Sequence, residues 1–162
     1  MPSFLFSHII KSMEITSFKI DHRKLIPGVY LHDVNKLGQL YVTTYDLRFK
    51  KPNRGDFLTY GEMHSIEHVI ATFYSKFYPK DKIYFGPMGC QTGFYLVVAG
   101  KKNLKWLLDT LPRLNNYINN LKEMPGFSPA KCGNYKTLSV HTARRVWNQW
   151  YRLRQNWGKR YK

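Results

Sequence analysis

One change of period constrains this chain more than anything else in it. From Gln39 to Phe49, "QLYVTTYDLRF" is rich in the β-branched and aromatic residues that suit a pleated strand. At "TYGEMHSIEHVIATFYS" the period lengthens, and Met63, Ile66, Ile70 and Phe73 recur along one helical face. The polar "KKPNRGD" between the two reads as a loop, and Thr59 with Glu62 has the spacing of a capping box, which starts the helix there. A strand and a helix that each bury one side are satisfied by stacking helices on a sheet.

The rest of the chain extends this pattern. "SFKIDHRKLIPGVYLHDV" (17–34) alternates around Pro27-Gly28 and predicts two short strands; "KIYF" and "FYLVVAG" predict two more, joined by the loop "GPMGCQTG" that carries Cys90. "NLKWLLDTLPRLNNYINNL" (103–121) predicts a helix that Pro112 either kinks or divides. The loop "MPGFSPAKCGNY" presents Cys132. "TARRVWNQWYRLRQNW" then sets Ala143, Val146, Trp150, Leu153 and Trp157 along an apolar face opposite a basic one. The fold class expected is α+β, a mostly antiparallel sheet packed with helices. A single domain over 13–162 follows residues 1–12, which read as a loosely held, disordered extension.

Composition narrows the function classes. At 43% hydrophobic and 16% aromatic residues the chain is expected to fold. No apolar run is long enough to span a bilayer, and the N-terminal apolar patch lacks the basic residues and cleavage site of a signal peptide, so no membrane partner is expected. Two cysteines outside any C-x-x-C pair read as free thiols in a reducing compartment, the cytoplasm. A net charge of +16, with nine Lys and Arg after Glu123, raises nucleic-acid binding as a rival. An amphipathic helix with a solvated basic face accounts for the same residues and is preferred.

Residues 64–68 read "HSIEH". On a helix, positions four apart lie one turn above each other, so His64 and His68 can direct two imidazoles at one ion, with Glu67 alongside as an unligated base. A catalytic zinc-type site takes three protein ligands and keeps one position open. Inverted zinc peptidases, which share H-x-x-E-H, use a distant downstream glutamate. Here Glu123 is the last acidic residue in the chain. Cysteine is the better third ligand, since thiolates bind zinc or ferrous iron strongly. One liganding and one free thiol competes with a closed Cys2His2 structural site; which cysteine ligates stays open, and His141, within ten residues of Cys132, is the first substitute for that thiol. His8 and His32 match no motif and read as surface or packing residues.

Taken together, "SFKIDH" (17–22), "YDLRF" (45–49), "HSIEH" (64–68), "GPMGCQTGFY" (86–95) and "CGNY" (132–135) resemble, in order and spacing, the S-ribosylhomocysteine lyases, the LuxS-type autoinducer-2 synthases. The resemblance implies a cytoplasmic homodimer with active sites at the subunit interface and one Fe2+ per subunit, replaceable by Zn2+ or Co2+. It implies that His64, His68 and Cys132 are metal ligands and that Glu67 and Cys90 are the general acid and base. Ser17, His22 and Arg48 fall at substrate-binding positions, the first two reaching in from the neighbouring subunit, and Arg48 also offers a fixed charge to the Cys90 thiolate. Read without the resemblance, Arg48 is equally a strand-end arginine in a surface ion pair, Ser17 a strand-edge hydroxyl and His22 a surface histidine. The chain departs from the family pattern at Tyr84-Phe85-Gly86, where an aspartate is common, and in its basic charge.

The implied reaction explains the residue types. A thioether carbon releases its thiolate only when a carbanion can form on the neighbouring carbon. The sugar carbonyl therefore has to move from the first carbon to the third before homocysteine is eliminated. Those steps call for a metal to polarise the carbonyl and two side chains to shuttle protons, Glu67 and Cys90.

Overall fold

The computed structural model of the chain describes residues 15–158; the extension assigned to residues 1–12, with His8, lies outside them. Strands β1 (Gly28–Leu37), β2 (Leu40–Arg48), β3 (Lys82–Pro87) and β4 (Gly93–Ala99) form one sheet in the order β1-β2-β4-β3, antiparallel throughout. Three helices accompany it among the described residues, α1 (Tyr60–Phe77), α2 (Leu104–Asn120) and α3 (Val140–Tyr151), so the expected α+β class is observed.

Period-two patterning aims Tyr45, Leu47, Phe94, Leu96 and Val98 at one face of the sheet, where each is fully buried. Ile66, Val69, Ile70 and Phe73 of α1 meet them in one core with Leu107, Leu111 and Leu114 of α2 and Val146, Trp147 and Trp150 of α3. Burying each such side chain contributes about 1.5–3 kcal/mol. Helix α1 starts where the capping box predicts: Thr59 Oγ1 accepts the Glu62 N–H, and the Glu62 carboxylate accepts the Thr59 N–H. The β1–β2 hairpin closes in two residues because Gly38 takes a φ of +62° without steric cost.

Three expectations are corrected. Residues 17–26 do not form a strand: Thr16–Lys19 is a 3-10 turn. A local turn follows, in which the Asp21 carboxylate accepts both the backbone N–H and the guanidinium of Arg23. Alternation makes a strand only with a partner to pair, and an aspartate that hydrogen-bonds its own backbone offers the chain another solution.

Pro112 does not divide the second helix, which runs unbroken through it from Leu104 to Asn120. The proline sits on the exposed side, while Leu107, Leu111, Leu114 and Ile118 hold the buried side. Finally, α3 ends at Tyr151, so Leu153 and Trp157 lie beyond it. Trp157 folds back onto Trp150, with ring centroids 4.4 Å apart, and Trp147 joins the buried face in its place.

Candidate metal centre and thiol cleft

His64 and His68 lie one turn apart near the start of α1, their ring centroids 4.7 Å from each other. Cys132 reaches them from the loop between α2 and α3, with its Sγ 3.3 Å from His64 Nε2. One ligand atom from each of the three lies within 4.8 Å of the others.

The hydrogen bonds settle which imidazole nitrogen is available. His68 Nδ1 lies 2.9 Å from the Pro125 carbonyl, which only accepts, so Nδ1 carries the proton and Nε2 keeps its lone pair. His64 Nδ1 lies 2.7 Å from Thr137 Oγ1, whose own proton goes to the Asn134 carbonyl; His64 therefore donates as well. Both Nε2 atoms are left to ligate, the arrangement that outer hydrogen bonds impose on metal-binding histidines.

Two imidazoles and a thiol suit Zn2+ or Fe2+. Nitrogen and sulfur ligands at ~2.0 and ~2.3 Å in tetrahedral geometry stand about 3.5 Å apart, close to the separation of His64 and Cys132. Gly126 permits the close approach of the loop. Its φ is +73°, and a Cβ there would lie 2.9 Å from His68 Nδ1.

Burial pulls the His64 pKa below the ordinary histidine value and the neighbouring His68 lowers it further, against the charge of Glu67. Glu67 is half-buried and outside the triad, and its carboxylate makes no hydrogen bond or ion pair among the described residues. Glu123 and His141 are exposed and also outside the triad, so neither is needed as its third ligand.

The second constellation is a cleft of about 420 Å³ lined by Ser17, Phe18, His22, Arg48, Met88, Cys90 and Tyr95. The structure thus brings Ser17, His22, Arg48 and Cys90 together within one chain. Cys90 is exposed. Its loop is held by bonds from Met88 N to the Gly93 carbonyl and from Leu58 N to the Gln91 carbonyl, with Gln91 at a φ of +60°. Gly93 is required beside it, since a Cβ there would lie 2.5 Å from the Leu47 carbonyl oxygen.

Arg48 is no surface ion-pair arginine. It is 2% exposed, with Nη2 2.5 Å from Asp46 Oδ2, Nη1 2.6 Å from Thr92 Oγ1, and Nη1 3.9 Å from Cys90 Sγ. Ser17 sits in the 3-10 turn and not on a strand edge, and His22 Nδ1 meets the Ile20 carbonyl at 2.8 Å. His32 packs on Tyr95, with ring centroids 5.0 Å apart.

Asp46 and Thr92 were not singled out from the sequence. Asp46 was findable, because alternate residues of "YDLRF" share a face and a buried arginine requires a partner.

A family model described as S-ribosylhomocysteinase (LuxS) matches residues 15–160. An S-ribosylhomocysteine lyase of Finegoldia magna is 41% identical over 144 residues, covering 88% of this chain and 92% of its own. Proteins of the same description from Clostridium beijerinckii and Borreliella afzelii are 39% and 40% identical, covering 84% and 81% of this chain and 87% and 85% of theirs.

Proposed function

The chain belongs to the S-ribosylhomocysteinase (LuxS) family, and from that premise we propose that His64, His68 and Cys132 hold its metal while Glu67 and Cys90 move its protons. It is a carbon–sulfur lyase that splits S-ribosylhomocysteine into homocysteine and 4,5-dihydroxy-2,3-pentanedione, the precursor of autoinducer-2. The observation that carries the assignment is the convergence of the His64, His68 and Cys132 ligand atoms, with both Nδ1 positions already hydrogen-bonded.

His64, His68 and Cys132 would hold a divalent ion, which would supply Lewis acidity to the substrate's oxygens. Fe2+ is the ion proposed, with Zn2+ or Co2+ able to replace it; the soft thiolate and two imidazoles support all three. The chain's own side chains do the proton work. Glu67, three positions from His64 and without a competing hydrogen bond, takes and returns protons on the carbons next to the migrating carbonyl. Cys90 serves the opposite end of the proton path, with Arg48 beside its sulfur. A positioned acid or base of this kind is worth ~10²- to 10⁴-fold in rate.

The working unit proposed is a homodimer of single metal-dependent lyase domains (13–162) in the cytoplasm. Within one chain Cys90 lies outside the triad, and the lining of its cleft includes no triad residue. A dimer in which the Ser17, His22, Arg48 and Cys90 cleft of one copy faces the triad and Glu67 of the other joins the two halves. The two free cysteines favour a reducing compartment. No helix among the described residues is long and apolar enough to cross a membrane.

The peptidase alternative is not favoured, because Glu123 is not in the triad. The nucleic-acid alternative is weakened by the tasks of two basic residues on α3: Arg145 pairs with Glu62, and Arg144 donates to the Leu121 carbonyl. The test is thiol release from S-ribosylhomocysteine by protein purified anaerobically and loaded with Fe2+ or Co2+. Release with metal and none without it is expected; a fully metallated sample releasing no thiol overturns the assignment.

A further inference from the structure

Cys90 is exposed, yet its sulfur is not left to the solvent. Thr92 Oγ1 lies 3.1 Å from Cys90 Sγ and 2.6 Å from Arg48 Nη1, whereas Arg48 reaches the sulfur itself only at 3.9 Å. The hydroxyl therefore stands between the guanidinium and the thiol.

The direction of these bonds follows from chemistry. A guanidinium only donates, so Thr92 Oγ1 accepts from Arg48, and its single proton is free for the sulfur. Arg48 is in turn fixed by Asp46, a carboxylate with no exposure that accepts from Nη2. The resulting chain, Asp46 to Arg48 to Thr92 to Cys90, brings to the sulfur a hydroxyl whose proton Arg48 does not use.

We propose that Thr92 is a positioning residue for Cys90, its hydroxyl fixing the orientation of the sulfur and donating to it once the thiol proton has moved into the cleft. The proposal rests on the assignment of Cys90 to proton transfer. Hydrogen bonds to a charged acceptor are the stronger kind, so the hydroxyl holds the sulfur most firmly once its proton has left. It also keeps the sulfur in the cleft shared with Ser17, His22 and Tyr95.

The backbone at Thr92 does not depend on the side chain. Its carbonyl accepts the N–H groups of Phe49 and Lys50, each at 2.9 Å, which ties the loop to the end of β2. Thr92→Val therefore removes the hydroxyl at nearly constant volume with the loop anchored, and Thr92→Ser restores it.

The experiment follows alkylation of Cys90 by iodoacetamide in the full-length metal-loaded protein, by peptide mass, from mildly acidic to alkaline pH, beside kcat and KM. The thiolate is the form that reacts. In Thr92→Val, alkylation is expected to fall about tenfold at neutral pH and to recover at alkaline pH, the size of one lost hydrogen bond to a charged group. The kcat is expected to fall with KM little changed, and Thr92→Ser to return both toward wild type. Wild-type alkylation at neutral pH in folded Thr92→Val, or Thr92→Ser behaving like Thr92→Val, overturns the proposal. Should Thr92→Val not fold, Thr92→Ala, which leaves room for water beside Arg48, is read by the same criteria. Wild-type turnover in Cys90→Ala removes the proton-transfer assignment but leaves the alkylation result to decide the role of Thr92, so the two failures are separable.

Discussion

Cys132 Sγ stands 3.3 Å from His64 Nε2, although 68 positions separate the two residues. One comes from the capped start of α1 and the other from a loop held by short-range bonds, such as Cys132 N to the Ser128 carbonyl. The site exists only when that loop is docked. Under the proposed assignment a bound metal would also dock the loop, and its removal is expected to loosen residues around Cys132 before the helical core.

The two cysteines should separate cleanly on mutation. Cys132→Ala is expected to lose stoichiometric metal, because two histidines on one helix cannot replace a three-ligand site. Cys90→Ala is expected to retain the metal and lose at least ~10²-fold in turnover. Metal analysis and turnover on the same samples check both, and equal metal loss in the two variants contradicts the assignment.

Gly126 should prove as important to the metal as a ligand. An alanine there meets His68 Nδ1 at 2.9 Å and adopts a φ of +73°, which L residues rarely take. It must displace either the loop or the ring that donates to the Pro125 carbonyl. Gly126→Ala is expected to lower metal occupancy and to cost about 1–3 kcal/mol of stability, read by metal analysis and thermal melting. Unchanged occupancy would show that the loop can move without the site.

The parts legible in the sequence are those set within a few residues. The capping box of Thr59 and Glu62 and the shared face of His64 and His68 depend only on helical spacing. Asp46 and Arg48 depend only on strand alternation, which puts them on one face, whereas the burial that makes Arg48 require a counter-charge is set by the fold. Residues 17–26 were misread because alternation is silent about whether a neighbouring strand exists, and Asp21 offered the backbone a local partner instead. Thr92 was out of reach: its meeting with Cys90 and Arg48 depends on Gln91 in a left-handed conformation and on the Gln91 carbonyl accepting from Leu58.

Glu62 should make α1 sensitive to acid. Burial pulls its pKa up, but the Thr59 N–H, the Arg145 guanidinium and the Thr59 hydroxyl outweigh burial and hold it below the ordinary glutamate value. A carboxylate with a lowered folded pKa contributes stability that is complete above its unfolded value and disappears as pH falls through the folded one. Wild-type melting should therefore fall below about pH 4.5, the ordinary value, more steeply than that of Glu62→Gln. At neutral pH Glu62→Gln should be less stable by roughly 1 kcal/mol, the scale of a helix cap with a partly exposed ion pair. Parallel melting curves for the two proteins across that acid range would remove Glu62 as the cause.

Subunit mixing tests whether the triad and the thiol cleft work across a dimer. Glu67 lies on the helix of His64 and His68, while Cys90 lies in the cleft with Arg48. Glu67→Gln and Cys90→Ala should each be inactive alone. If one copy's cleft serves the other copy's triad, a heterodimer of the two variants has one doubly impaired site and one with both native residues. Random exchange makes half of the dimers mixed, so about a quarter of wild-type activity should return. If each chain completes its own site, every site in the mixture carries one lesion and no activity returns. Turnover after co-refolding, with dimer mass checked by light scattering, distinguishes the two; absence of recovery in a verified heterodimer places Cys90 and the metal of a single chain in one site.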